Sequence, residues 1–247
     1  QINSLSVNGN TITLAYSENL DAHHLPATSA FTVSSDGSIN PVTGLAVNGN
    51  TITLTLANSI ASGAIVSLTY TDPSAGNDVN AIQDTSGNDA SGFIQGIVAD
   101  GYIRDAKIYI DANGDGIAQD SEFTGVTTNN DGSFFLPNTL PNGAIIAVGG
   151  INIDTGIPQT TPLTAPAGSA TINPLTTLIQ TMLNDASRAG VTLSSTQASD
   201  MVVNALGITL PTGQTLLNYD PLAGSDVAAQ KAAAQVATLL ALGSNGD

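Results

Sequence analysis

Cysteine and tryptophan are both absent from the 247-residue sequence. Without cysteine there is no disulfide framework, no thiolate metal site and no thiol nucleophile. Without tryptophan, and with aromatic residues at only 4%, there is little to line a sugar-cleaving cleft around paired carboxylates. Basic residues are nearly as scarce: 4 Lys and Arg stand against 20 Asp and Glu, a formal charge of -16. Such a chain repels nucleic acid and anionic membranes and attracts divalent cations. No leader or membrane-spanning run is visible, but the sequence starts mid-pattern at Gln1 and reads as an excised fragment of something larger, so that absence says little about export; for the stretch itself no membrane insertion is expected. The 2 histidines, His23 and His24, are adjacent and in an extended segment would point to opposite sides. No set of nucleophile, base and orienter can be assembled, and the chain is read as a non-enzyme.

Glutamate is the informative scarcity, because it occurs only as Glu18 and Glu122. Glu122 closes the run Asp111-Ala112-Asn113-Gly114-Asp115-Gly116-Ile117, which meets every requirement of an EF-hand calcium loop. Calcium takes six to eight hard oxygens, and the loop offers side chains at Asp111, Asn113 and Asp115, the backbone carbonyl of Ile117, Gln119 at the ninth position and a bidentate Glu122. Gly116 stands where the loop must turn sharply. The preceding segment, Ile103 to Ile110, alternates with period two and predicts one strand feeding the site rather than a helix. Sensors of the calmodulin type work by opening two loop-flanking helices, so calcium is expected here as a structural ion. In the strand, Ala106, Ile108 and Ile110 face inward and Lys107 is an outward surface lysine.

Other carboxylates crowd the middle of the chain, among them Asp72, Asp78, Asp84, Asp89, Asp100, Asp105 and Asp131. Their mutual repulsion is tolerable if metal neutralises it. Glu18, Asp72, Asp84 and Asp89 are accordingly candidate ligands for a second calcium ion at the foot of the first domain.

Val7-Asn8-Gly9-Asn10-Thr11-Ile12-Thr13-Leu14 recurs letter for letter as Val47 to Leu54. Asn-Gly between alternating strands signals a hairpin. Ile12, Leu14, Tyr16 and Ile52, Leu54, Leu56 fall on one face and the threonines on the other; Ala64, Val66, Leu68 and Tyr70 supply a further apolar face. Residues 1–92 therefore read as an Ig-like antiparallel β-sandwich. With the acidic tail from Thr71 through Asp84 to Asp89, this stretch resembles the swimming-motility-type repeat found in tandem in large bacterial surface proteins and adhesins.

Residues 93–165 form a second β region, with strands expected around 96–99, 104–110, 124–128, 133–136 and 144–148. Asp105 to Asp111, the calcium loop and the run Thr127 to Pro137 resemble the prealbumin-like B-type domains of bacterial surface proteins. In residues 166–247 the period becomes helical. Asn173 and Pro174 open a helix with a stripe of Leu175, Leu178, Ile179, Met182 and Leu183; Ser194 or Ser195 caps a second that stops at Gly207; Asp226 opens a third.

The fold class expected is mainly β: tandem antiparallel Ig-like and prealbumin-like β-sandwiches with a small C-terminal α-helical bundle. The resemblances imply an extracellular, bacterial cell-surface location and a calcium-binding extender of an adhesin, with calcium stiffening the fold and its joints. Its partners would then be calcium, neighbouring repeats of the same chain, and a cell-surface glycan or protein. A glycan- or peptide-binding module and a surface-layer subunit are the alternatives.

Overall fold

In the computed structural model every residue is described except 1, 36–37, 62–63, 65, 74–75, 78, 212–213, 224–225 and 245–247. Asp78, one of the crowded carboxylates, thus lies outside the described residues. The chain divides into two compact units, one comprising residues 1–95 and 137–139 and the other residues 96–136 and 140–247. It is mainly β, with several antiparallel sheets and three C-terminal helices.

The first unit opens with β1 (Ile2–Asn8) and β2 (Thr11–Tyr16), followed by β3 (Phe31–Ser35), β4 (Ser38–Ile39), β5 (Val42–Asn48), β6 (Thr51–Leu56) and β7 (Val66–Tyr70). One sheet has the order β1-β2-β6-β5, and in the other β3 pairs with both β4 and β7. Alternation decides which residues are inside: Ile12, Leu14, Ile52 and Leu54 are fully buried. Phe31, Tyr70 and Phe93 stack in series, with ring centroids 5.0 and 6.0 Å apart, and the buried Tyr70 hydroxyl accepts the Ile82 N–H at 2.9 Å.

The duplicated sequence folds as a local two-fold. Thr13 lies opposite Thr53, its own counterpart in the repeat, at the centre of the β2–β6 pairing. The Tyr16 N–H donates to Asn50 O at 2.8 Å and the Leu56 N–H to Asn10 O at 2.8 Å; Leu20 bonds Gly49 O at 2.9 Å just as Ile60 bonds Gly9 O at 2.8 Å. Both outer strands carry a register shift at the corresponding place, between Ile2 and Ser4 and between Val42 and Gly44. The hairpin turns correct the sequence expectation by one residue: Asn8 pairs with Thr11 and Asn48 with Thr51, so each turn is Gly-Asn, not Asn-Gly. Gly9 and Gly49 take φ of 58° and 60° while both following asparagines keep negative φ, the pattern of a turn that demands glycine at its first central position.

Strand β8 (Phe93–Val98) starts in the first unit and ends in the second. The second unit continues with β9 (Ile103–Arg104), β10 (Lys107–Asp111), β11 (Phe123–Thr127), β12 (Ser133–Pro137), β13 (Ala144–Val148), β14 (Ile151–Asn152), β15 (Leu163–Ala165) and β16 (Thr171–Ile172). Its main sheet has the order β11-β10-β13-β15. The single strand expected over 103–110 is in fact two: Asp105 adopts φ of 60°, β9 pairs with β14, and β10 pairs with β11 and β13. Buried Thr128 closes the break, its hydroxyl donating to Ile103 O at 2.6 Å and accepting the Ala106 N–H at 2.9 Å. Ala106, Ile108 and Ile110 are buried and Lys107 is exposed; Tyr109 is buried as well.

The helices α1 (Pro174–Arg188), α2 (Ser195–Leu206) and α3 (Val227–Ser244) belong to this same unit. Asn173, fully buried, caps α1 by accepting the Leu175 and Thr176 N–H groups at 2.9 and 3.0 Å. The hydroxyls of Thr176 and Thr177 donate to Thr164 O at 2.9 and 3.2 Å and tie α1 to β15. Leu175, Leu178, Ile179, Met182 and Leu183 meet Ala198 and Val202 of α2 and Ala229, Ala232 and Val236 of α3 in one apolar cluster. Ser194 is the α2 cap, and Gly207 ends that helix at φ of 65°. Among the described residues no helix is long and apolar enough to cross a membrane.

Candidate metal centre

Asp111 is the last residue of β10, opposite Ala144 of β13, and is 4% exposed. The neighbouring strand can come this close because residue 143 is glycine: a Cβ there would lie 2.2 Å from Asp111 O. From this fixed point the chain turns back on its own carboxylate. Asp111 Oδ1 accepts the N–H groups of Gly114 at 2.7 Å and Asp115 at 3.2 Å, and Oδ2 accepts that of Gly116 at 2.9 Å. Gly114 and Gly116 hold φ of 76° and 79°, a left-handed backbone open to glycine without strain.

The other predicted ligands lie on the same turn. Asn113 Oδ1 accepts the Asp115 N–H at 2.9 Å, and Asp115 Oδ1 accepts that of Ile117 at 2.8 Å. Asp115 Oδ2 receives the side-chain amides of Asn113 at 3.1 Å and Gln119 at 2.6 Å. The Ile117 side chain is 63% exposed and packs into no core. A short 3-10 turn, Asp120–Glu122, brings Glu122 back to the loop's start, where Oε1 accepts the Ala112 N–H at 3.1 Å and Oε2 the Gln119 N–H at 3.3 Å. All six predicted positions are thus gathered in one loop, and their oxygens are the hard donors calcium takes. Their carboxylates are directed at the loop's own backbone N–H groups and side-chain amides; among the described residues no group of three or more His, Cys, Asp or Glu side chains is arranged to hold a metal ion.

Three supports of this loop were not anticipated. Gly143 lets β13 pass beside Asp111, and the Asn142-Gly143 dipeptide was the only local signal of it. Phe123 packs on Tyr109 with ring centroids 5.3 Å apart, and Lys107 Nζ lies 5.7 Å from the Phe123 ring centre. Asn184 of α1 lies beside the loop, its amide nitrogen 3.7 Å from where a Cβ on residue 116 would stand, a neighbour no sequence pattern announces.

The second candidate set lies in the first unit. Leu20 bridges to Asp84, and the Asp21 N–H donates to Gln83 O at 2.9 Å, so the stretch beginning after Glu18 runs beside Asp84. Asp84 is engaged in its own turn, accepting the Ser86 and Asn88 N–H groups at 2.7 and 2.9 Å and the Asn88 amide at 2.8 Å. The Asn88 amide, with these N–H groups, holds its carboxyl below the usual aspartate range. Asp89 Oδ1 accepts the Gln83 amide at 2.8 Å. Glu18 is exposed and Asp72 half-buried just after β7. His24 Nδ1 lies 2.6 Å from Asp21 Oδ2, and this hydrogen bond lowers the Asp21 carboxyl.

Residues 1–75 match a family described as a putative flagellar system-associated repeat. The match overlaps the stretch, roughly residues 4–93, that resembles the swimming-motility-type repeat. No curated protein matches the chain. Among solved structures the chain is similar to the N-terminal part of the bacterial S-layer protein SbsC, at 14% identity and a TM-score of 0.29, over 69% of this chain and 41% of that one. It therefore spans less than half the length of that structure.

Proposed function

We propose that this chain is a calcium-stabilised structural region of a bacterial cell-surface adhesin or biofilm-type protein, a non-catalytic spacer between neighbouring repeats. The observation that carries the reading is the Asp111 to Glu122 loop: alternate hard-oxygen side chains on a backbone already turned by Gly114 and Gly116 and anchored in β10. Calcium would supply a compact positive charge for Asp111, Asn113, Asp115, Glu122, the Ile117 carbonyl and Gln119. An ion bound only by the folded chain stabilises it by roughly 2.7 kcal/mol at a hundredfold excess over Kd. Extracellular calcium modules bind at about 10^-4 to 10^-3 M, so the stability of such a spacer follows the calcium outside the cell.

The acidic, cysteine-free composition and the repeat match over residues 1–75 support this setting. The Ig-like and prealbumin-like identities of the two β regions belong to the same proposal, supported by alternating antiparallel strands in each. So does a second ion held by Glu18, Asp72, Asp84 and Asp89. The groove lined by Asp100, Gln159, Thr161 and Leu240, among the described residues, holds about 120 Å³, against the ~300 Å³ at which small-molecule sites begin, and so does not itself favour a glycan pocket.

The test is calorimetric titration of calcium into the chelator-treated chain, wild type and Glu122→Ala. The wild type is expected to bind and to melt at a higher temperature with calcium. Glu122→Ala should lose the tightest site; equal affinity in both proteins would sink the assignment.

A further inference from the structure

Of five Asn-Gly pairs in the sequence, Asn245-Gly246 lies outside the described residues. The others are held differently. Asn8 and Asn48 end strands, paired with Thr11 and Thr51, whose hydroxyls donate to their carbonyls at 2.8 Å. Gly143 is pressed against the Asp111 backbone. Asn113-Gly114 is exposed, and nothing lies within 4 Å of where a Gly114 Cβ would be.

Around this pair the loop arranges the groups that an internal attack needs. The Gly114 N–H donates to Asp111 Oδ1 at 2.7 Å, which places a carboxylate within reach of the proton that must leave. The Asp115 N–H donates to Asn113 Oδ1 at 2.9 Å, the oxygen on which negative charge develops when Cγ is attacked. Asn113 Nδ2, the leaving nitrogen, is held by Asp115 Oδ2 at 3.1 Å. Glycine at 114 leaves the nucleophilic nitrogen without a shielding side chain.

We propose that Asn113-Gly114 is a self-modification site, at which the loop deamidates the asparagine at its own third position. The Gly114 nitrogen bonds to Asn113 Cγ as its proton passes to Asp111. The Cγ–Nδ2 bond then breaks, Nδ2 departs as ammonia with a proton returned through solvent, and a cyclic imide remains. Water adds to the imide and opens it to aspartate or isoaspartate. Aspartate adds a carboxylate to the ligand set; isoaspartate lengthens the backbone by one atom and displaces Asp115 and Gly116. Calcium bound to Asp111 and Asn113 would withdraw both from the reaction, a clause that rests on the calcium reading above.

The test is peptide mapping by mass spectrometry of the whole chain incubated at neutral pH with chelator or with excess calcium, Asn8 and Asn48 serving as internal references. In chelator, Asn113 is expected to convert faster than both references, and Asp111→Asn should slow it on the order of a hundredfold, the low end of what a positioned base contributes. Conversion at Asn113 no faster than at Asn8 and Asn48, or undiminished in Asp111→Asn, overturns the proposal. Fast conversion that calcium leaves unchanged keeps the modification site and counts against the calcium reading, which calorimetry on the Asn113→Asp variant reports independently as tighter or unaltered binding.

Discussion

Replacing Tyr102 with Phe removes a single hydroxyl from the second unit, and its partner makes the loss expensive. Asp220, between α2 and α3, is 2% exposed; its Oδ2 accepts the Tyr102 hydroxyl at 2.9 Å and its Oδ1 the Leu222 N–H at 2.9 Å. A hydrogen bond to a buried charge contributes about 1.5–3 kcal/mol. For a unit of this size that corresponds to a drop in Tm of roughly 3–12 °C, measured by calorimetry at neutral pH. Burial pushes the Asp220 carboxyl above its ordinary 3.8, against the N–H groups and the Tyr102 hydroxyl that pull it down. The sign of the pH dependence follows: the folded state holds this proton more tightly than the unfolded state. Asp220's contribution is therefore fully present below 3.8 and lost as pH rises through the folded value. Tyr102→Phe removes a group that favours the charged form, so the decline with rising pH should steepen, whereas Asp220→Asn should abolish this component. A double-mutant cycle isolates the pair, with an expected coupling of about 1 kcal/mol or more. If Tyr102→Phe costs less than about 0.5 kcal/mol, or costs the same in the Asp220→Asn background, the clamp contributes nothing and the reasoning is wrong.

Two other substitutions test the framework that carries the loop. Gly96→Ala would put a Cβ between 2.2 and 2.8 Å from the Phe134 ring, so chemical denaturation should show a loss of about 1–3 kcal/mol; an unchanged midpoint would mean that Phe134 moves freely aside. Asn173→Ala strips the α1 cap of its acceptor for the Leu175 and Thr176 N–H groups and should cost about 1–2 kcal/mol, with α1 losing hydrogen-exchange protection before the strands do.

Short-range signals were legible. Alternation in Thr11 to Tyr16 and Thr51 to Leu56 marked which residues are buried, and Asn173, Ser194, Gly207 and Asp226 marked the helix ends, because these depend on pleat, turn and capping chemistry within a few residues. The Asp111 to Glu122 loop was legible for the same reason: its hydrogen bonds run from one carboxylate to N–H groups three to five positions along.

The rest depended on partners distant in sequence. Nothing local in Ile103 to Ile110 shows that the strand breaks at Asp105, since the reason is Thr128, whose hydroxyl satisfies the groups on either side of the break. The repeat was plain as a string of letters, yet its pairing of Thr13 with Thr53 about a two-fold follows from burying both apolar faces in one sheet. Gly143, just before β13, and Asn184 of α1 lie beside the Asp111 to Glu122 loop, and Asp220 reaches Tyr102 across 118 residues. The sequence by itself determined the strands' faces, the helix caps and the loop's turn, all of them set by neighbours along the chain. Tertiary structure alone decided which strands meet and what supports the loop, because those choices are settled by the burial of surfaces that no single segment possesses.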